Sequence, residues 1–273
     1  MPNKRKGKEL TAIRERKALR VAVISGKGGV GKTFIAANLA ASLASIGRQI
    51  LVVDADLGLA NFDVMAGVDP QFTIQDVFRG THSPDDVVLH TTQGFDILPA
   101  GSALPEGTVF TAALAENITS ILSILEHRYD MIAFDAGAGV GDVVMLFAGL
   151  ADEIVLIATP EPTAIINVYA TIKIITRLHR RNRFLLIVNQ ADPDCPGRIG
   201  ATVARHLQSV ISKFLSPDHQ VPVRLELIGA IPEDPSVQLA IRQRQLLADI
   251  YPEAPSACRI NHLAYFLDTR ILT

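Results

Sequence analysis

The chain has 273 residues, 48% of them hydrophobic and 20% charged, which fits one large globular domain or two small ones. Its net charge of −2 excludes a whole-molecule field that draws it to nucleic acid or acidic lipid. Cys195 and Cys258 lie 63 residues apart and outside any CxxC, which argues against a disulfide framework or a cysteine-based metal site.

The chain opens on a basic lead, MPNKRKGKELTAIRERKALR, in which residues 1–20 hold eight Lys/Arg against two Glu and leave −8 for the rest. It lacks the apolar centre of a secretory signal and reads as a solvated arm. The first strand-like run is Val21–Ile24, followed at once by SGKGGVGKT, Ser25–Thr33, and then by a helical stretch, Phe34–Ile46. Gly26, Gly31, Lys32 and Thr33 have the spacing of a Walker phosphate loop. Gly26, Gly28, Gly29 and Gly31 let backbone N–H groups converge on phosphate oxygens, with Val30 the only bulky apolar residue among them. Lys32 is expected to reach the β- and γ-phosphates, and Thr33 to offer its hydroxyl to Mg²⁺. Lys27 is a second cation for which the simple loop has no need.

The next run, Ile50–Val53, leads into DADLGLANFD. Asp54 and Asp56, two residues apart at a strand end, point the same way and are expected to serve the metal, the attacking water, or both. Further strands are expected at Phe95–Leu98, Met131–Phe134, Ile154–Ala158, Phe184–Val188 and Leu225–Ile231, with helices at Leu114–Glu126, Ala164–Leu178 and Gly200–Phe214. Most strand runs are continuously apolar, as in strands buried on both faces. The alternation predicts an α/β fold: a mostly parallel, doubly wound sheet flanked by helices, of P-loop NTPase type. The expected division is a basic arm over 1–20 and one domain over 21–273. The Met131–Phe134 run ends in Asp135 of FDAGAG, a Walker B pattern whose carboxylate serves Mg²⁺ and whose glycines let amides approach the γ-phosphate. RLHRRNR, Arg177–Arg183, reads as a solvated helix end more simply than as a phosphate-binding patch. No apolar run reaches the eighteen or so residues of a membrane span, so a soluble, cytoplasmic protein is expected.

Together KGGVGKT, DADLGLANFD, FDAGAG, ADEIVLIATPEPTAIINVYATIKII and IPEDPSVQLAIRQRQLL resemble the MinD/ParA family of deviant-Walker ATPases, over about residues 20–265. Within it the ATPEPT segment is most similar to the flagellar-number regulators of FlhG (FleN) type. The resemblance implies an ATP-dependent homodimer that sandwiches two nucleotides, with Lys27 crossing to the partner's phosphates. It implies that Lys27, Lys32 and Asp56 carry the hydrolysis of ATP to ADP and phosphate, Asp56 acting on the attacking water. Asp54 and Thr33 would support Mg²⁺, Asp135 would be its second-shell ligand, and Asn61 would approach the phosphates across the dimer. Ala136, where many relatives carry Ser or Thr, departs from the pattern. Adenine would be read by Asn189 and by backbone of the Pro232–Asp234 turn, although Asn189-Gln190-Ala191-Asp192 also echoes the guanine-reading NKxD of GTPases.

The implied use is an ATP switch for flagellar number or placement acting through protein partners of the flagellar or polar machinery. A ParA-type partition ATPase and a MinD-type cell-division regulator are the alternatives, and nucleic acid is not the expected partner. An electron or metal-cluster carrier fits least, because neither cysteine stands where such carriers need one. Transient association with the inner face of the membrane is typical of relatives with a basic amphipathic tail. Here RINHLAYFLDTRILT, with helical spacing at Ile260, Leu263, Ala264, Leu267 and Ile271, aligns better with the last core helix. The N-terminal arm does not match the partner-activating DQAxxLR pattern of those relatives.

Overall fold

The computed structural model describes residues 17–55, 62–99, 112–215 and 222–271. In chain order these form β1 (Leu19–Ser25), α1 (Lys32–Ser45), β2 (Ile50–Ala55), α2 (Phe62–Ala66), α3 (Ile74–Phe78), α4 (Pro84–Val87), β3 (Leu89–His90), β4 (Asp96–Leu98) and α5 (Ala112–Leu125). They continue as β5 (Met131–Ala138), α6 (Asp142–Leu150), β6 (Glu153–Ala158), α7 (Pro162–His179), β7 (Arg183–Ala191), α8 (Pro196–Phe214), β8 (Arg224–Pro232), α9 (Pro235–Gln243), α10 (Leu247–Ile250) and α11 (Pro255–Ile271).

All eight strands join one sheet in the order β3-β4-β2-β5-β1-β6-β7-β8. Every pairing is parallel except that of β3 with β4. The continuous apolar runs become interior strands whose alternate residues serve two separate cores. On one face Ala22 and Ile24 of β1 meet Leu122 of α5, Phe147 of α6, Ile172 of α7 and Leu207 of α8. On the other Val21 and Val23 meet Ile35 and Leu39 of α1 and Leu263 of α11. Helix α1 is therefore apolar on most of its circumference, covered by the sheet on one side and by α11 on the other. Ile260, Leu263, Ala264 and Leu267 are all buried, so α11 commits its apolar stripe to the core.

Strand β1 begins at Leu19, two residues inside the stretch read from composition as arm. The reason is electrostatic: the buried Arg20 guanidinium donates to Glu126 at 2.6 Å, and its backbone N–H donates to the Asp152 carboxylate. One basic residue of the lead is thus a strand residue with a buried partner. From β1 the chain runs through α1 to β2 on one side, while β6, β7 and β8 extend the other. The resulting crevice at the carboxyl end of β1 is where open α/β sheets bind ligands.

Candidate nucleotide site

The loop between β1 and α1 occupies that crevice. Gly31 is the N-cap of α1 with φ 86°, and Gly29 also has a positive φ of 79°, so two peptide planes turn in a way that side chains disfavour. Gly28 differs from both. Its φ is not in the left-handed region, and a Cβ there would meet no protein atom within 4 Å. The protein's own packing therefore does not require glycine at Gly28, and the position faces the open mouth of the loop. No side chain caps α1, which leaves its first N–H groups and the positive end of its dipole directed at the loop. Lys27, Gly28 and Gly29 are exposed, while Val30 and Lys32 are buried beneath them.

The loop is fixed at its base by three contacts. The Ser25 hydroxyl donates to the Lys27 carbonyl at 3.0 Å, and Gly139, just after β5, donates its N–H to the Ser25 carbonyl at 2.8 Å. The amide of Asn189 donates to the Val30 carbonyl at 2.8 Å. Gly26 lies against the backbone of α7: a Cβ there would come within 2.7 Å of the Asn167 oxygen and nearer still to its carbonyl carbon.

Two lysines leave this loop in different directions. Lys32 turns inward, and its ammonium meets Asp135 Oδ1 at 2.6 Å with both side chains buried. Asp135 and Asp54 are register partners on the adjacent strands β5 and β2, only 1% and 3% exposed. Strand pairing therefore brings together two carboxylates that lie 81 residues apart in sequence. Lys27 turns outward, and its ammonium meets Glu161 Oε2 at 2.8 Å with side chains 43% and 58% exposed. Thr33 is the second residue of α1, half-buried beside Lys32. Ala136 is wholly buried in β5 opposite Ala55, where a hydroxyl would need a partner inside the sheet. Asp56 and Asn61 lie outside the described residues.

On the base side Asn189 sits at the end of β7 with its donor committed to the loop. The Asp234 carboxylate is also committed: it accepts from the N–H of Ser236, capping α9, and from the N–H of Ser256 at the start of α11. Burial would raise the Asp234 pKa, but these N–H groups outweigh it and hold the carboxyl below its ordinary value. The Pro232 carbonyl accepts from the Ser256 hydroxyl, and the Glu233 N–H donates to the Ala191 carbonyl. These bonds fix the turn's backbone beside a cavity of about 320 Å³ lined by Pro193, Glu233, Asp234, Pro235 and Gln238.

The phosphate loop and the strand-end aspartates Asp54 and Asp135 lie in local motifs that are legible in the sequence. The pairing of Glu161 with Lys27 and the tie from Asn189 to Val30 have no local signal, since each joins residues more than 130 positions apart. The arginines of 177–183 are largely used within the molecule. Arg181 donates to the Ala151 and Asp152 carbonyls, and Arg183 pairs with Glu153 and Glu226.

The donors fit Mg²⁺. A hydroxyl and two carboxylates are hard oxygen ligands, and this ion is commonly held by one or two carboxylates together with substrate phosphates. Among the described residues no group of three or more His, Cys, Asp and Glu side chains could hold an ion by itself. Thr33, Asp54 and Asp135 would hold Mg²⁺, which would offset charge on the phosphates.

A phosphate loop opening onto the carboxyl edge of a parallel sheet, with a strand-end carboxylate against its lysine, defines a P-loop NTPase. The family model described as "ParA: NUBPL iron-transfer P-loop NTPase" matches residues 17–265. The chain belongs to the ParA/MinD family of P-loop ATPases. It is 34% identical over 249 residues to "Antiactivator FleN" of Pseudomonas aeruginosa, covering 91% of this chain and 86% of that protein. It is 32% identical over 257 residues to "Flagellum site-determining protein YlxH" of Helicobacter pylori, covering 93% and 83%. Among solved structures, the septum site-determining protein MinD of Pyrococcus horikoshii, complexed with Mg-ADP, superposes with a TM-score of 0.70. That match has 27% identity and covers 93% of this chain and 97% of that one. The iron transfer in the family model's description finds no cysteine cluster here: Cys195 is half-buried beside α8 and Cys258 is exposed on α11.

Proposed function

We propose that this chain, with its ATPase domain over 21–273 behind the basic arm, is an ATP-dependent dimerising switch. In this reading it sets flagellar number or placement through protein partners. The observation that carries the switch is the pair of lysines on one loop: Lys32 is buried on Asp135 and Lys27 is exposed at the mouth of the site. In this reading Lys32 serves the subunit's own phosphates and Lys27 a charge that arrives from outside. The flagellar use rests on the printed names of the FleN and YlxH relatives.

In the proposed cycle the N–H groups of the loop from Gly26 to Gly31, Gly28 among them, and the α1 N-terminus bind the phosphate chain of ATP. Lys32 exchanges Asp135 for β- and γ-phosphate oxygens. Asp56 orients the attacking water and accepts its proton as the bond to the γ-phosphorus forms and the bond from that phosphorus to the β–γ bridging oxygen breaks, leaving ADP and phosphate. Lys27, delivered across a dimer interface, offsets the charge that develops on the bridging oxygen, as an arginine finger does. Hydrolysis then follows dimerisation, and the ATP dimer is the form that partners recognise. Asn61 contributes to the phosphates across the interface, and the 232–234 backbone reads adenine. In this reading the protein works in the cytoplasm, and a transient visit to the inner face of the membrane would be made through a partner or the basic arm, since α11 is used in the core.

Deleting the gene in its own host and counting flagella tests the use. Altered number or placement is the expected result. Unchanged flagella with missegregated chromosomes or plasmids would move the chain to the DNA-partition branch.

A further inference from the structure

The ion pair between Lys27 and Glu161 ties the phosphate loop to the turn that launches α7. We propose that Glu161 is a positioning residue for the ATPase cycle: its carboxylate holds the loop's outer lysine on its own subunit, and dimerisation must take the lysine from it. This rests on the reading that Lys27 serves the partner's nucleotide.

Three observations carry it. First, the Glu161 carboxylate makes no side-chain capping bond to its own helix, although Glu161 is the N-cap of α7. Its contact is with an ammonium 134 residues away, at 2.8 Å. Second, both ends of that contact are held in register. Glu161 stands between Pro160 and Pro162 with φ −60° and ψ 135°, in the extended conformation that a following proline enforces. At the other end Gly26, next to Lys27, lies on the backbone of Asn167 and Val168 in α7. Loop and helix start therefore form one packed unit, and the lysine has a fixed carboxylate within reach.

Third, the contact is strong enough to bias the lysine and weak enough to yield. Exposed ion pairs change an equilibrium by a factor of about 1.5 to 5. A triphosphate with several negative oxygens draws an ammonium more strongly than one solvated carboxylate does. Release is thus favoured only when a second nucleotide-loaded subunit presents its phosphates, which disfavours dimers that lack ATP.

A plainer role would be a favourable charge at the positive end of the α7 dipole. That role would make the helix less stable in every nucleotide state once the charge is lost, and would leave dimerisation alone. The two are separated with full-length wild type, Glu161→Gln and Lys27→Ala. The dimer dissociation constant is measured by light scattering with Mg²⁺ and a slowly hydrolysed ATP analogue, and thermal unfolding is measured with ADP. Since each lysine enters once in a symmetric dimer, Glu161→Gln should tighten the dimer by about 2- to 25-fold, the per-pair factor squared. Its ADP-bound melting should fall only slightly, by the loss of that one exposed pair, so the tighter dimer is what separates the two roles; Lys27→Ala should stay monomeric. An unchanged or weaker dimer in Glu161→Gln, or a normal dimer in Lys27→Ala, overturns the proposal. A wild type that stays monomeric with every nucleotide removes the dimer reading itself, and this proposal with it.

Discussion

At the scale of single residues, the site depends on glycines whose replacement meets the protein itself. Gly31 combines a φ of 86° with the side-chain nitrogen of Asn189 lying where a Cβ would go. Alanine there incurs a left-handed backbone cost of about 1–2 kcal/mol and must displace the amide that straps Val30. Gly31→Ala should therefore abolish nucleotide binding in an equilibrium titration and lower stability by about 2–5 kcal/mol, the backbone cost plus overpacking. Binding at wild-type affinity would show that the strap and the loop's turn are dispensable. The buried pair of Lys32 with Asp135 follows a different logic. Buried charges are tolerated because they are matched, so the lysine that leaves one anion must find another. In the proposed cycle phosphate would provide it, which would couple nucleotide entry to a rearrangement at the strand-end carboxylates.

At the scale of elements, Asp234 shows where motif and local physics diverge. By resemblance the 232–234 turn belongs to base recognition, but an Asp directly before Pro235 and Ser236 is also the start signal of a helix, and the structure uses it that way. Its carboxylate joins α9 to α11 through Ser236 and Ser256. Asp234→Ala should cost about 1–2 kcal/mol at neutral pH. The folded-state pKa lies below the ordinary 3.8, so this contribution is present above that value and is lost as pH falls through the depressed one. Urea unfolding of both proteins from about pH 7 to pH 3 should show the gap closing at the acid end; a constant gap would refute this. The strands and long helices were legible because continuous apolar runs and helical periods are local signals. Strand β3, with two residues paired antiparallel at the sheet edge, was not, because its pairing with β4 carries no period of its own. Helix α6 escaped for a related reason. Its sequence DVVMLFAGL is almost wholly apolar, and an apolar run of nine residues does not distinguish helix from buried strand.

At the scale of the whole molecule, eight strands bring one loop, two neighbouring carboxylates and two turns to a single edge. The loop and the aspartates could be read from motifs. The ties that make them one unit could not, because Gly26 on α7, Asn189 on Val30 and Glu161 on Lys27 exist only after the sheet has formed. Because Gly26 is packed against α7, a change at the phosphates would reach a long helix with exposed apolar side chains, among them Ile166. A partner docked on that helix would sense the nucleotide if its contacts differed between nucleotide states. In the proposed cycle hydrolysis needs a second subunit to deliver Lys27. ATP turnover per protomer, measured over a wide range of protein concentration, tests this most directly. Turnover should rise with concentration and then saturate for wild type, and should be low at every concentration for Lys27→Ala. A rate per protomer independent of concentration, with Lys27→Ala as active as wild type, would contradict the account.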